Sequence, residues 1–159
     1  MAWARYIYSM SRAFVKEDDD APEELAERPI SSAPNLVTAD GLAAIEAEVA
    51  RLTQSLAATE DRDTRARLNR DLRYWNARLG SAHVQPAPAD NEIVRFGATV
   101  TIHRDDGRKQ TFRIVGEDEA DPERGTLSYV SPLAQALMGK SEGDSVRVAG
   151  ADAEIVAIS

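Results

Sequence analysis

The hydrophobic positions along the chain predict two amphipathic helices followed by a region of strands. In the first helix, near residues 39–57, apolar side chains recur at steps of three and four, a spacing that places them on one face. These positions are Leu42, Ile45, Val49, Leu52 and Leu56. A second seam with the same spacing, near residues 62–80, consists of Leu68, Leu72, Trp75 and Leu79. Two apolar stripes of equal length, joined by a short polar break, predict an antiparallel helical hairpin.

The residues at the ends of these helices support the same limits. Thr38 is suited to cap the first helix, and Asp40 is favourable in its first turn. Gly80 is a suitable stop for the second helix. Each arm is therefore expected to hold about 18–20 residues, or roughly 27–30 Å at 1.5 Å per residue.

Beyond residue 93 the hydrophobic period changes to two, which predicts strands. The run Asp105-Asp106-Gly107 predicts a hairpin turn, and Ser131 with Pro132 predicts the cap and first turn of a short helix. The predicted fold class is α+β. It consists of an N-terminal antiparallel helical hairpin, or coiled coil, and a C-terminal antiparallel sheet of about five strands with one short helix packed on it.

Two stretches of distinct composition divide the chain. Residues 17–34, EDDDAPEELAERPISSAP, are acidic, contain proline and are poor in large apolar residues. They predict a mobile or loosely docked leader over residues 1–35. Residues 83–92, HVQPAPADNE, contain two prolines and predict a linker. The hairpin is then expected over residues 36–82 and a C-terminal domain over residues 93–159.

The composition excludes several classes of function. The chain contains no cysteine, which rules out disulfides, thiolate metal sites and cysteine nucleophiles. Its two histidines, His83 and His103, lie far apart in the sequence and form no ligand pair. Neither a phosphate-binding loop, a dinucleotide-binding glycine motif nor a catalytic triad is recognisable. We therefore expect no independent catalysis and no cofactor of its own.

The N-terminal sequence bears on location. No apolar run approaches the roughly 20 residues that a membrane span needs. The start, MAWARYIYSM, carries Arg5 inside a very short apolar stretch, which makes it a poor signal peptide. Met10 is a second candidate for the natural start. These features predict a cytoplasmic protein without a membrane partner.

The charge is distributed unevenly along the chain. The net charge of −8 argues against general binding of nucleic acid. Residues 1–37 carry −3, residues 38–61 carry −4 and residues 79–159 carry −5. Residues 62–78 alone are positive, at +4. The arginines of this segment are Arg62, Arg65, Arg67, Arg70, Arg73 and Arg78.

These arginines admit two interpretations. They form a solvated face that pairs with acids of the first arm, such as Glu46 and Glu48, or they contact RNA or an acidic partner surface. Trp75 lies on the seam and is expected in the core, rather than serving with Tyr74 as a platform for stacked bases. The apolar cluster of the second half is likewise expected to be a core, formed by Phe96, Phe112, Ile114, Leu133 and Leu137.

The segment between the helices, AATEDRDTRARL at residues 57–68, brings three carboxylates together at Glu60, Asp61 and Asp63. Acidic side chains just before a helix N-terminus are favoured by capping and by the helix dipole. Two further interpretations remain open, contact with a basic surface of a partner and delivery of a magnesium ion. The first interpretation requires no metal.

Several stretches of the sequence resemble the Gre factors, the bacterial transcript-cleavage factors GreA and GreB. NLVTADGLAAIEAEVARL is similar to the start of their first helix, where Leu-Val-Thr is followed three residues later by a glycine, here Gly41. FGATVTIHRDDGRKQTFRIVGEDEAD and SPLAQALMGKSEGDSV resemble their C-terminal domain nearly end to end. The matching positions of the last stretch are Ser131-Pro132-Leu133-Ala134, Ala136-Leu137, Gly139-Lys140 and Glu142-Gly143-Asp144. The likeness covers residues 35–158.

The resemblance implies a function in transcription. The C-terminal domain would have an FKBP-like fold and dock on the rim of the secondary channel of RNA polymerase, with Ser131, Pro132 and Leu133 at the polymerase-facing edge. The hairpin would enter the channel toward the active centre, close to nascent RNA or DNA. In Gre factors, acidic residues at the tip, within an Asp…Glu-Asn-Ala-Asp/Glu-Tyr motif, help to hold the catalytic magnesium and stimulate cleavage of backtracked RNA.

The tip of this chain departs from that motif. It contains neither Glu-Asn-Ala nor Tyr, and its arms are shorter than those of Gre factors, as in non-cleaving relatives with short hairpins. Magnesium ligands sit about 2.1 Å from the metal, so a tip set back by helical turns cannot supply one. We expect a regulator that competes with Gre factors without stimulating cleavage. The alternatives are a cleavage factor that uses the acidic tip and a free-standing coiled-coil adaptor.

Overall fold

The computed structural model describes residues 25–159, so most of the predicted leader lies outside the described residues. Within this range, two helices of 20 residues each form the hairpin, α1 at Ala39–Ala58 and α2 at Arg62–Ser81. The predicted limits are confirmed to within one residue. Thr38 is the N-cap of α1, and its hydroxyl accepts a hydrogen bond from the backbone N–H of Gly41 over 3.0 Å.

The seam between the two helices is apolar, as predicted. Ile45 and Leu52 are each only 2% exposed. The seam residues of α2, including Trp75, are half-buried, because a two-helix hairpin covers each apolar stripe from one side only. The hairpin therefore has a thin core that depends on a few side chains.

A short parallel sheet closes the open end of the hairpin. Strand β1 at Leu36–Val37 pairs with β2 at His83–Val84, with Leu36 opposite His83. Parallel strands need a long crossover connection, and the helical hairpin is that connection. This changes the predicted division of the chain, because the first two residues of the predicted linker belong to the base of the hairpin.

In the described part of the chain, the C-terminal domain is built on a five-stranded sheet with the order β5-β4-β3-β7-β6. Its strands are β3 at Thr99–Arg104, β4 at Lys109–Val115, β5 at Thr126–Ser128, β6 at Ser145–Val148 and β7 at Ala151–Ile158. In the turn between β3 and β4, Gly107 has a φ of 86°, a left-handed conformation that glycine adopts without steric cost. The predicted hairpin turn is thereby confirmed.

One pairing in this sheet differs from the predicted antiparallel arrangement. Strands β4 and β5 run parallel, whereas the other neighbours are antiparallel. The connection between them, residues 116–125, is a crossover that contains two short 3-10 helices, Glu117–Glu119 and Pro122–Arg124. We refer to Glu117–Glu119 as the acidic 3-10 helix.

The core of the C-terminal domain lies between the sheet and helix α3 at Pro132–Leu137. Val100 and Ile102 of β3 and Leu137 of α3 have no exposed surface. The predicted apolar cluster is thus part of this core, which explains it without a ligand pocket. Two members of the cluster lie partly buried at its margin, Phe96 and Leu133.

Replacement of Leu52 by aspartate is expected to unfold the hairpin. The substitution places a carboxylate where burial of an apolar side chain contributes about 1.5–3 kcal/mol, so the helical circular dichroism signal should fall. The matched control is Ala50→Asp, which introduces the same charge at an exposed position two residues away. A native helical signal in Leu52→Asp would contradict a buried seam.

Candidate functional site

The tip of the hairpin is a short turn with its acidic residues at the surface. Asp61 is the N-cap of α2, and its carboxylate accepts a hydrogen bond from the backbone N–H of Thr64 over 2.9 Å. Hydrogen bonds from the side chain and backbone of Thr64 lower the pKa of Asp61. Glu60 and Asp63 are exposed, with Asp63 in the first turn of α2. Capping therefore accounts for Asp61.

Arg65 closes the same turn from the other side. Its Nη1 donates hydrogen bonds to the carbonyl oxygens of Leu56 and Thr59, each over 2.9 Å. These oxygens lie at the C-terminal end of α1, where carbonyl groups lack partners within the helix and the helix dipole is negative. Arg65 thus stabilises the turn. It is one of the arginines predicted to contact RNA, and its guanidinium group is bound within the hairpin instead.

The other predicted contact arginines of α2 differ in their surroundings. Arg73 forms an ion pair with Glu27, which precedes the hairpin in sequence. Arg70 contacts the neighbouring Asp71 over 3.0 Å. Two members of the set are exposed near the tip, Arg62 and Arg67. Positive charge is therefore most accessible on the tip half of α2.

One interpretation predicts that the arginines of α2 pair with acids of the first arm, but Glu48 does not do so. Glu48 instead pairs with Arg51, three residues further along the same helix, over 2.6 Å. A hydrogen bond from Arg51 lowers the pKa of Glu48. For this acid, charge is neutralised within α1, and contact between the arms at its level is left to the apolar seam.

The described end of the predicted leader, residues 25–35, lies against α2. The guanidinium carbon of Arg28 is 3.8 Å from the centre of the Tyr74 ring and 5.5 Å from that of Trp75. The two aromatic rings meet edge to face, with their centres 5.2 Å apart. The aromatic pair is thus covered by an arginine of the same chain, so this part of the leader is docked.

Arg78 is buried where the hairpin meets the C-terminal domain. Only 2% of its side chain is exposed, and its Nε donates to Asp118 over 2.5 Å while Glu117 lies 3.7 Å away. The Tyr74 hydroxyl donates to the other oxygen of Asp118 over 2.5 Å. Burial and this hydrogen bond raise the pKa of Tyr74 to about 12. The prediction that Arg78 belongs to an exposed basic face is wrong, because the acidic 3-10 helix pairs with it in the interior.

Glu119, the next residue of the acidic 3-10 helix, binds the start of α1. Its carboxylate accepts hydrogen bonds from the backbone N–H of Thr38, over 3.0 Å, and from the Thr38 hydroxyl. The backbone N–H of Gly116 donates to the same carboxylate over 3.0 Å. A Cβ at Gly41 would overlap this carboxyl group. The presence of glycine at position 41, three residues after Leu-Val-Thr, is therefore explained sterically, because a side chain there would displace Glu119.

The predicted partner-facing residues, Ser131, Pro132 and Leu133, open helix α3. The Ser131 hydroxyl caps the helix by accepting a hydrogen bond from the N–H of Ala134 over 3.3 Å. Pro132 is exposed, Leu133 is half-buried against the core, and the preceding Val130 is 38% exposed. Val130, Pro132 and Leu133 form an apolar surface on the C-terminal domain. The tip acids lie in the other structural unit, the hairpin.

Two kinds of feature are not found in residues 25–159. No helix there combines the length and apolar character that crossing a bilayer requires. No three or more His, Asp or Glu side chains there are grouped as they would be to hold a metal ion. The three tip acids therefore do not converge into a metal site within this part of the chain.

Reasoning from the sequence missed the junction between the hairpin and the C-terminal domain. Three adjacent acids, Glu117, Asp118 and Glu119, normally indicate a solvated loop, so the run by itself gives no sign of a buried contact. The single available signal was Gly41, an unfavourable residue within a helix. Its role depends on a contact with a residue 78 positions away, which no local pattern reveals.

Comparison with known proteins gives a consistent set of matches. The family described as "Transcription elongation factor, GreA/GreB, C-term" matches residues 89–159. Transcription elongation factor GreA of Paracoccus denitrificans is 47% identical over 85 residues, which cover 50% of this chain and 54% of the relative. GreA of Desulfovibrio desulfuricans is 34% identical over 135 residues, covering 70% of this chain and 83% of the relative.

These matches differ in extent. This chain spans about half the length of the Paracoccus relative and most of the Desulfovibrio relative. Among solved structures, GreA factor homolog 1 (Gfh1) of Thermus thermophilus matches 80% of this chain and 99% of its own, with 16% identity and a TM-score of 0.40.

Asp61→Ala is expected to lower the thermal midpoint of hairpin unfolding by about 2–4 °C, because α2 loses its N-cap. The matched control, Asp63→Ala, removes the same charge without removing the cap. The pKa of Asp61 is lowered in the folded protein. The contribution of the cap is therefore complete above the unfolded pKa and is lost as the pH falls through the folded value.

Circular dichroism melts from neutral to strongly acidic pH test this prediction. The stability gap between the native protein and Asp61→Ala should close on acidification. A gap that persists at the lowest pH would contradict the role of the ionised cap.

Proposed function

This chain belongs to the GreA/GreB family of transcription elongation factors, and we propose from this premise that it binds RNA polymerase and regulates transcription elongation. The observation that carries the proposal is the 34% identity to a GreA protein over 135 residues. A match to 70% of the chain extends beyond the C-terminal domain into the hairpin. Both units of the molecule therefore support the same function, which would be exercised in the cytoplasm.

The C-terminal domain docks on the polymerase, and the hairpin enters the secondary channel. The edge of α3 suits docking because exposed Val130 and Pro132 offer apolar surface there. Fully buried Ala134 and Leu137 hold the same helix rigidly against the sheet. A rigid apolar edge loses little conformational freedom on binding, which favours affinity.

Regulation occurs by occupying the channel, without stimulation of transcript cleavage. The carboxylate of Asp61 is directed at the backbone of α2 as a helix cap, which accounts for an acid at this position without a metal. Glu60 and Asp63 are exposed single acids on either side of it. The tip also lacks the Glu-Asn-Ala motif of cleavage factors. The protein accordingly contributes no catalysis of its own.

The arginines of α2 support binding of the hairpin inside the channel. Arg62 and Arg67 are exposed close to the tip, where a hairpin inside the channel would meet nascent RNA, DNA or acidic channel walls. Arg65 and Arg73 are held by contacts within the chain. A phosphate contact would therefore fall first to Arg67, which is exposed, with a salt-dependent affinity.

The double variant Pro132→Ala with Leu133→Glu is expected to weaken binding to core RNA polymerase about tenfold or more, since it places a charge in the docking edge. The measurement is a titration against labelled polymerase, with and without a Gre factor as competitor. Val156→Glu, an equivalent change at an exposed residue of β7, is the control. Unchanged affinity in the double variant would move the docking surface elsewhere, and failure to compete with a Gre factor would contradict a shared channel.

The native protein is expected to leave the cleavage of backtracked RNA at the intrinsic rate of the polymerase. The triple variant Glu60→Ala, Asp61→Ala, Asp63→Ala should behave the same way, because ligands contribute only within coordination distance of the metal. The measurement is a cleavage time course on a stalled complex at fixed magnesium, with a Gre factor as positive control. Faster cleavage by the native protein, abolished in the triple variant, would establish the alternative function of a cleavage factor.

A further inference from the structure

Two neighbouring residues of the acidic 3-10 helix hold the two helices of the hairpin separately. Asp118 binds α2 by accepting hydrogen bonds from Arg78 and Tyr74, each with a donor–acceptor distance of 2.5 Å. Glu119 binds the start of α1 through the backbone N–H and the hydroxyl of Thr38. A single turn of the C-terminal domain therefore contacts both helices at their base.

We propose that Asp118 and Glu119 form a two-point clamp that sets the direction in which the hairpin leaves the C-terminal domain. A single contact leaves a rod free to pivot about it, whereas contacts to two helices at the base restrict the pivot. The clamp rests on the proposed function for its consequence in transcription. The direction of the hairpin, in contrast, is a property of the free protein.

The length of the hairpin amplifies any movement at its base. Helices of 20 residues extend about 30 Å at 1.5 Å per residue, so a pivot of about 10° would displace the tip by about 5 Å. That displacement exceeds the length of a hydrogen bond, about 3 Å. Contacts made by the tip therefore depend on groups that lie a full helix length away.

The polar character of the junction makes specific contacts decisive. Units joined by modest, mainly polar interfaces are expected to move relative to each other. Here Arg78 is 2% exposed and Asp118 is 10% exposed. Because water is largely excluded, the attraction between the two charges is stronger than at the surface. Loss of Asp118 would leave the buried charge of Arg78 with only Glu117, 3.7 Å away, to compensate it.

Two glycines give independent support for the clamp. A Cβ at Gly41 would overlap the carboxyl group of Glu119. A Cβ at Gly116 would lie 2.5 Å from the carbonyl oxygen of Leu36. Both positions lack a side chain where α1 and β1 approach the acidic 3-10 helix. The close approach is thus built into the sequence of both units.

The clamp is connected to the docking edge through a few residues. The Thr126 hydroxyl, at the start of β5, donates to the backbone oxygen of Glu119 over 3.2 Å. Tyr129, just after β5, donates its hydroxyl hydrogen bond to the backbone oxygen of Pro34. Ser131 and helix α3 follow directly. The helix proposed to dock and the turn proposed to direct the hairpin are therefore connected through hydrogen bonds and a few residues of chain.

Distance measurements on the free, full-length protein test the clamp. Because the chain has no cysteine, a pair of spin labels can be placed at two exposed positions by Ala57→Cys and Lys109→Cys. The disrupting variants are the double change Asp118→Asn with Glu119→Gln and, separately, Gly41→Ala. Pulsed electron paramagnetic resonance then reports the distribution of distances between the hairpin and the C-terminal domain.

Each disrupting variant has a matched control. Glu123→Gln neutralises an exposed acid in the same crossover. Gly80→Ala adds a methyl group to a helical glycine where nothing lies within 4 Å of the new atom. Circular dichroism verifies that the helices persist. If the double variant fails to fold, Gly41→Ala decides the question, because alanine by itself favours the helix.

The clamp predicts that both disrupting variants shift or broaden the distance distribution by about 5 Å or more, whereas both controls retain the native distribution. Polymerase affinity should stay within about threefold, because docking uses α3, while the effect on transcription is reduced. A native distribution in the disrupting variants would overturn the clamp. A broadened distribution with a native effect on transcription would overturn the consequence of the clamp in transcription. If the native protein does not bind polymerase, the proposed function fails, and the distances still decide the clamp.

Discussion

The buried ion pair between Arg78 and Asp118 is the interaction on which the arrangement of the two units depends. A guanidinium group with 2% exposure is tolerated only if its charge is compensated nearby. Asp118 meets this requirement at 2.5 Å, with Glu117 close by, and Tyr74 donates to the remaining oxygen of Asp118. Removing one partner of such a pair typically costs about 3–5 kcal/mol. The hairpin and the C-terminal domain are thus joined by a buried charge pair, beside the packing of Leu36 against the core of the C-terminal domain.

The sequence alone predicts the hairpin well because its signal is periodic and local. The two seams fix the faces of α1 and α2, and Thr38 marks the start of α1. The change to a period of two identifies the strands, and glycine at 107 identifies the turn between the first two strands of the C-terminal sheet. Capping preferences favour an acid at the start of α2, but they do not distinguish among the three tip acids. The structure assigns the cap to Asp61.

The remaining features depend on contacts between distant residues, which a local pattern does not encode. Arg78 has the same charge as the exposed arginines of α2, and its burial follows only from the position of a residue 40 places later. The parallel pairing of β4 and β5 follows from the crossover between them. His83 and Val84 lie in a proline-containing segment, and they form a strand because Leu36 and Val37 are brought beside them by the hairpin. The roles assigned to Ser131, Pro132 and Leu133 stay predictions.

The pairing of β1 with β2 also has an evolutionary consequence. It brings the two ends of the hairpin side by side, so the hairpin is inserted into the rest of the fold through adjacent points. Adding or removing seven residues in each arm preserves the apolar seam and changes the reach by about 10 Å. Neither the base nor the tip needs to change at the same time. Arm length is therefore a trait that can diverge separately from the surface that recognises a partner.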